Sequence, residues 1–230
     1  MKIVKDVQSA FFDRGDHQYN PELILNPPVH CRLEYEYIKK NLPASGSIAD
    51  YGAGSGRMTI PSLQNGYKVT AIDISAQSLE NLKKVARRLN LNNLTTANVL
   101  PNRESFDAII GADVLHHVEI DRELPVMYKA LKKGGKIAFS EPSAYNVAWY
   151  LFLPIASEWS VEKGMLQCRM GNLVKLCRKH GFRNISVTGM GLLPTPIFNV
   201  SAWVSRLNYR LGNMPFVKLA AYRYLLVAQK

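Results

Sequence analysis

Cysteine is scarce in this chain, with three residues (Cys31, Cys168 and Cys177) in 230. They form no CxxC or other paired pattern, which argues against a disulfide framework or a thiolate zinc site and fits a reducing, cytoplasmic setting. The histidines show no ligand spacing either, so no metal is expected. Long apolar runs are also missing. The longest, Val147–Ala156 (VAWYLFLPIA), is interrupted by Pro154 and is about half the length of a membrane-spanning helix. The N-terminal stretch MKIVKDVQSAFFDRGD mixes charges into its apolar residues, so no cleavable signal is expected. One sign of charge disappears from the last part of the chain. Gly164–Lys230 holds ten Lys and Arg and no Asp or Glu, whereas the chain up to Lys163 carries 19 basic residues against 18 acidic ones. A tail of that kind favours an anionic partner: a phospholipid surface, a phosphorylated or acidic substrate, or RNA. The bland alternative is that these charges solvate surface helices. Their even spread, with few interleaved aromatics, makes nucleic acid the weaker of the specific partners.

What is present reads as a globular chain, 47% apolar and 20% charged. No repeat or linker divides it, so one domain over residues 1–230 is expected. Short β-rich runs alternate with helix-period segments. Ser47–Tyr51, Tyr67–Asp73, Leu94–Asn98, Phe106–Ala112, Gly134–Glu141, Phe182–Met190 and Leu219–Ala228 read as strands. Helices are expected over residues 55–64, from a Ser75 cap to Asn90, from Asp121 to Leu131, and over 168–180 with a stop at Gly181. This order predicts an α/β fold with seven strands, mostly parallel, and helices on both faces. Ligands in such sheets bind beyond the C-terminal strand ends, near the switch in strand order.

The chemistry gathers at those ends. Asp50-Tyr51-Gly52-Ala53-Gly54-Ser55-Gly56 follows the first strand and precedes a helix, where glycines let backbone approach a ligand closely. Asp73 closes the second strand, 17 residues after Gly56, where a carboxylate can grip ribose hydroxyls. The spacing departs from the dinucleotide pattern G-x-G-x-x-G: the third glycine arrives one residue early and Arg57 holds its usual place. An acid, Asp50, precedes the first glycine. A pyrophosphate gains nothing from a carboxylate there, whereas a ligand with a cationic amino group does.

These residues resemble the class I S-adenosylmethionine-dependent methyltransferase family, with DYGAGSG similar to its first motif and AIDIS to its second. FDAIIGADVLHHV and LKKGGKIAFSEP resemble its fourth- and fifth-strand motifs, so the likeness covers roughly residues 45–142. It implies a Rossmann-like fold and S-adenosyl-L-methionine as cofactor. Gly52 and Gly54 would pack on the methionine part, Asp50 would sit near its amino group, and Asp73 would bind the ribose hydroxyls. Asn98 would lie at the adenine, where relatives usually carry an acid, and Ala53, Gly56, Ile74, Val99 and Gly111 are further expected cofactor contacts. The LHHV stretch points to small-molecule enzymes similar to the quinone-biosynthesis C-methyltransferases.

For the acceptor side, Glu141 is the candidate general base or acceptor-orienting group, its alternative being a carboxylate bonded to nearby backbone. His116 is the second candidate, and His117 matches a family histidine that supports local structure. Tyr145, Asn146 and Trp149, in an insertion over residues 142–167, are candidate substrate contacts or ordinary core. A second insertion, 191–218, carries Ile197, Val200, Val204, Leu207 and Leu211 at helical spacing, read as a packed face, an acceptor cover or a membrane-surface helix. Residues 1–44 form an N-terminal cap in which Tyr19 is the residue to test. Asn26-Pro27-Pro28-Val29 looks like an adenine-methyltransferase motif but stands far from the fourth strand, so it is read as a turn. The expected activity is methyl transfer to a small hydrophobic or amphipathic acceptor, in the cytoplasm or peripherally at an anionic membrane. RNA methylation and a non-catalytic cofactor-binding partner are the competing readings.

Overall fold

A computed structural model describes residues 21–156, 162–194 and 201–230. Two helices, α1 (Pro21–Leu25) and α2 (Val29–Lys39), precede the sheet. Then follow β1 (Ser47–Tyr51), α3 (Thr59–Gln64), β2 (Lys68–Ile72), α4 (Ala76–Arg88), β3 (Leu94–Ala97) and β4 (Phe106–Ala112). After a 3-10 turn at Leu115–His117 come α5 (Ile120–Ala130), β5 (Leu131–Pro142) and α6 (Val147–Ala156). A second 3-10 turn (Lys163–Gln167) leads to α7 (Met170–Lys179), β6 (Arg183–Met190), α8 (Ala202–Gly212), a third turn (Val217–Ala220) and β7 (Arg223–Gln229).

The seven strands form one sheet in the order β3-β2-β1-β4-β5-β7-β6. β1 to β5 pair in parallel, and β7 runs antiparallel to both β5 and β6. The expected strands are all present; the last is shorter at its start, because Val217–Ala220 closes into a turn before β7. Local chemistry accounts for several boundaries. The Ser75 hydroxyl accepts from the Ser78 amide at 3.1 Å and starts α4. Gly181, at φ +86°, ends α7. Asp121 does not cap α5, which starts at Ile120 after Glu119; it pairs instead with Lys179 and His180 of α7.

Two apolar cores sandwich the sheet. One joins Ile48, Val69 and Ala108 to Ile38 of α2, Ile60 of α3, Leu82 of α4 and Tyr209 of α8. The other joins Ala49, Ile109 and Ile137 to Leu124 of α5 and Leu173 of α7. Alternation along each strand sends neighbouring residues to opposite cores. Strand order reverses between β1 and β4, and the loops leaving those two strands and β2 meet over one crevice. None of the described helices is long and apolar enough to cross a membrane.

Candidate cofactor site and active site

The crevice contains two adjoining cavities, of about 270 and 280 Å³. The first is walled by Asp50, Gly52, Ala53, Gly54, Ser55 and Arg57 of the β1 loop, with Asp113 opposite. The second runs past Tyr51, Asn98, Val99, Leu100, Glu123 and Val126. Asp73, Ile74 and His117 line both.

Asp50 is buried at the end of β1. The Thr59 hydroxyl donates to its Oδ2 at 2.6 Å, while Oδ1 has no hydrogen-bond partner among the described residues. Burial pushes its carboxyl up to about 7. Ser55 Oγ, also buried, is unpartnered in the same way. Gly54, at φ +50°, turns its missing side chain toward open space: a Cβ there would meet nothing within 4 Å. Gly52, at φ +72°, has no such room, because a Cβ would strike Val114 across the loop. Asp73 binds the two flanking backbones, taking the Gly54 amide on Oδ2 at 2.7 Å and the Ser75 amide on Oδ1 at 2.8 Å. The Asn98 amide donates to the Asp73 carbonyl at 3.0 Å. In the second cavity the Tyr51 hydroxyl donates to Glu123 at 2.8 Å.

Two expected cofactor residues lie outside the cavity walls. A Cβ on Gly111 would fall 2.6 Å from both the Phe139 ring and the Tyr51 carbonyl oxygen, so this glycine lets strands pack. Gly56 sits against Leu82 and Ile60 where the loop enters α3.

The acceptor-side expectations change more. Glu141 is fully buried and points beneath the β4 loop rather than into the cleft. Its Oε1 accepts from the amides of Val114 (3.0 Å) and Leu115 (2.8 Å), and its Oε2 lies 2.6 Å from His116 Nδ1. His116 is 3% exposed, and its Nε2 is 3.3 Å from Glu162. Burial alone would lower the His116 pKa; the hydrogen bonds and charges of both glutamates outweigh it and push it up to about 10. The cleft-lining imidazole is therefore His117, reversing the expected roles of the pair. His116, His117 and Glu162 place ligand atoms within 4.8 Å of one another, but both His116 nitrogens are taken by the two glutamates, which leaves no lone pair for a cation.

Asn146 ties loops together, donating to the carbonyls of Leu192 (3.1 Å) and Ala220 (2.7 Å) and accepting from the Ala148 amide. Trp149 stacks on Tyr222, centroids 4.4 Å apart, and donates to its carbonyl at 2.7 Å. Tyr145 lines a separate surface hollow with Lys175 and Arg178. None of the three walls the crevice. Tyr19, like most of the N-terminal cap, lies outside the described residues. Asn26-Pro27-Pro28 leads into α2, away from the end of β4.

Sequence reasoning missed a charged group beside the first cavity. Asp113, at φ +58°, meets Arg57 at 2.5 Å and Arg223 at 2.7 Å. Glu34 of α2 lies 3.0 Å from Arg223 and 3.4 Å from Arg57, and Ser140 donates to it. Burial raises the Asp113 pKa, but the two guanidiniums overrule it and hold the carboxyl well below its ordinary value.

A family model described as a methyltransferase domain matches residues 49–139, which contain most of these loops. A ubiquinone biosynthesis O-methyltransferase from Rickettsia prowazekii is 31% identical over 171 residues, covering 69% of this chain and 68% of the relative. The chain belongs to the class I S-adenosylmethionine-dependent methyltransferase family. The protein of the same name from Rickettsia typhi is also 31% identical, over 59% of this chain. The chain spans 58% of the length of that Rickettsia typhi protein and 61% of a 25% identical ubiquinone biosynthesis O-methyltransferase from Pelagibacter ubique. Among solved structures, a possible histamine N-methyltransferase from Thermotoga maritima shares the fold, with a TM-score of 0.67 at 20% identity, covering 96% of this chain and 99% of that one.

The family's cofactor is S-adenosylmethionine, and the first cavity suits it. The unsatisfied Asp50 Oδ1 matches an ammonium donor, the open face of Gly54 leaves room for a chain against the backbone, and Asp73 can accept from vicinal hydroxyls. The second cavity, where Ile72, Ile74, Val99, Leu100 and Val126 stand among polar groups at Tyr51, Asp73, Asn98, His117 and Glu123, suits a flat base.

Proposed function

We propose that this protein transfers a methyl group from S-adenosylmethionine to an oxygen of a small hydrophobic or amphipathic acceptor of the quinol type. When bound, the cofactor supplies a methyl group already activated by a positive sulfur. The protein's share is then to hold the acceptor in line and keep water out, effects that account for much of such a barrier. The observation that carries the reading is the charge balance beside the first cavity. Arg57 and Arg223 face Asp113 and Glu34, so two cations meet two anions. That arrangement offers no open basic groove to an RNA backbone, and suits a compact neutral acceptor. The relatives named ubiquinone biosynthesis O-methyltransferase support oxygen as the acceptor atom, which the sequence left open.

In this reading Asp113, held ionised by its arginines, accepts from an acceptor hydroxyl and aims it. His117, lining both cavities, is the candidate to take the proton as the oxygen attacks. Glu141 and His116 act at one remove, by fixing Val114 and Leu115. Methyl transfer from labelled cofactor to alkylated catechols, with unstructured RNA alongside, tests this. Label on the catechol oxygen is the expected product. Label on RNA, or none on either when cofactor binding is intact, overturns it.

A further inference from the structure

Helix α8 buries one aromatic among small and polar residues and leaves bulky apolar ones outside. Its inward stripe is Ser205, Asn208, Tyr209 and Gly212. Asn208 spends its amide on the neighbouring chain: Oδ1 accepts from the amides of Leu192 (2.9 Å) and Leu193 (3.0 Å), and Nδ2 donates to the Leu193 carbonyl (3.0 Å). Tyr209 packs on Tyr37 of α2, and its hydroxyl donates to the His30 carbonyl at 3.2 Å. The outward stripe is Trp203, Leu207 and Leu211, each four residues apart, with Trp203 72% exposed. Of the apolar stripe seen in the sequence, Ile197 and Val200 lie outside the described residues, and Leu207 and Leu211 face outward, against the packed-face alternative. A helix that leaves Trp203 and two leucines outside, while burying Ser205 and Asn208, points to an apolar partner for its outer face.

The turn after α8 continues the feature. Phe216 is 96% exposed at φ +67°, a left-handed conformation unfavourable for a residue with a bulky side chain. Met214 and Leu219 beside it are exposed too. α6 joins the same edge, because Asn146 and Trp149 tie its start to Ala220 and Tyr222, and its Val147 and Leu151 are exposed. Through Arg223 this edge reaches the end of β5 and one wall of the first cavity. β7 begins at Arg223 opposite Pro142, where β5 ends, and Arg223 reaches Asp113 at the first cavity.

Charge selects the partner. Arg206 and Arg210, both exposed, each precede an outward leucine, and Lys218 precedes Leu219. No acidic residue occurs anywhere in Gly164–Lys230. A second copy of the chain would set this positive flank against itself. An anionic bilayer offers an apolar interior to Trp203 and Phe216 and phosphates to the arginines. We propose that the outward face of α8 and the turn at 213–219 dock this protein on an anionic phospholipid bilayer. Docking stands independently of the acceptor; its value in delivering an apolar acceptor rests on the quinol reading above.

The test is co-sedimentation of the full chain with phosphatidylcholine vesicles containing roughly one-third phosphatidylglycerol, against pure phosphatidylcholine. Binding to the anionic vesicles, weakened by salt, is expected. Trp203→Ser with Phe216→Ser should lower the partition coefficient by roughly tenfold or more. Arg206→Gln with Arg210→Gln should lower it about tenfold on anionic vesicles only. Calorimetric affinity for S-adenosylhomocysteine should be unchanged in both, which separates lost docking from lost folding. No binding to anionic vesicles, equal binding by all three proteins, or a dimer abolished by the same substitutions in place of vesicle binding would overturn the proposal. Vesicle binding without transfer to any catechol supports docking and counts only against the acceptor reading.

Discussion

His116 Nδ1 stands 2.6 Å from Glu141 Oε2, with both side chains buried and Glu162 3.3 Å away on the other side of the imidazole. The pair joins the end of β5 to the turn after β4, and the free oxygen of Glu141 fixes two amides of that turn. Breaking a buried ion pair by removing one partner costs roughly 3–5 kcal/mol. Glu141→Gln should therefore lower the melting temperature by about 10 °C in calorimetry, at a few degrees per kcal/mol for a chain of this size. Turnover per folded molecule should fall much less. A variant with native melting temperature and no turnover would restore Glu141 as a base.

The same imidazole makes stability depend on pH. Its pKa rises from 6.5 in the unfolded chain to about 10 in the folded one. A group of this kind contributes fully below pH 6.5 and loses its contribution as pH climbs through 10. Melting temperature should drop steadily between pH 7 and 10, and His116→Asn, though less stable throughout, should flatten that slope. A native profile as steep in the variant would remove His116 as the source.

Asp50 predicts a pH dependence of binding rather than of stability alone. Burial holds its carboxyl at about 7, so below neutrality it must lose a proton before it can pair with an ammonium group. Affinity for S-adenosylhomocysteine should weaken by up to about tenfold per pH unit below 7, with proton release seen in calorimetry. Asp50→Asn should bind more weakly and without that slope. A native affinity flat from pH 5.5 to 8 would contradict the pairing.

Gly54 isolates the cradle from the fold. Since a Cβ there meets no protein atom, Gly54→Val strains only its own backbone, by about 1–2 kcal/mol. Its branched side chain would instead occupy the space assigned to the ligand. Cofactor affinity should fall at least 100-fold while the melting temperature moves by only a few degrees, roughly in line with that strain. Equal affinity in the variant would displace the cofactor from this loop.

The mostly parallel seven-stranded sheet and the glycine loop after its first strand were legible because their signals are local. Ser47–Tyr51 ends in glycines, Ser75 caps its own helix, and Asp50 and Asp73 close strands whose ends a parallel sheet brings together. The other side of the site depends on contacts distant in sequence. Whether Glu141 faces the cleft is decided by amides 26 and 27 residues earlier. His116 and His117 are adjacent in a tight turn, where spacing cannot tell which one turns inward. Arg223 meets Asp113 only through the antiparallel return of β7, 110 residues on. Apolar periodicity could not choose between a packed and an outward face for α8, because it does not count the three hydrogen bonds that hold Asn208 inside.

Asp113 is where these long-range contacts converge on chemistry. Its backbone lies in the left-handed region, its carboxylate is shared by Arg57 and Arg223, and it borders the first cavity at the end of β4. If it aims an acceptor hydroxyl, Asp113→Asn loses a hydrogen bond to a charged group, worth about 1.5–3 kcal/mol. The acceptor KM should then rise roughly 10- to 100-fold, with S-adenosylhomocysteine affinity held within about twofold. Arg223→Lys reaches the same point from behind: its point charge keeps one contact where the guanidinium made several, to Asp113, Glu34 and Ser140. It should lower the melting temperature and raise the acceptor KM together. An acceptor KM unchanged in both variants would place the acceptor elsewhere and leave the network a purely structural lock.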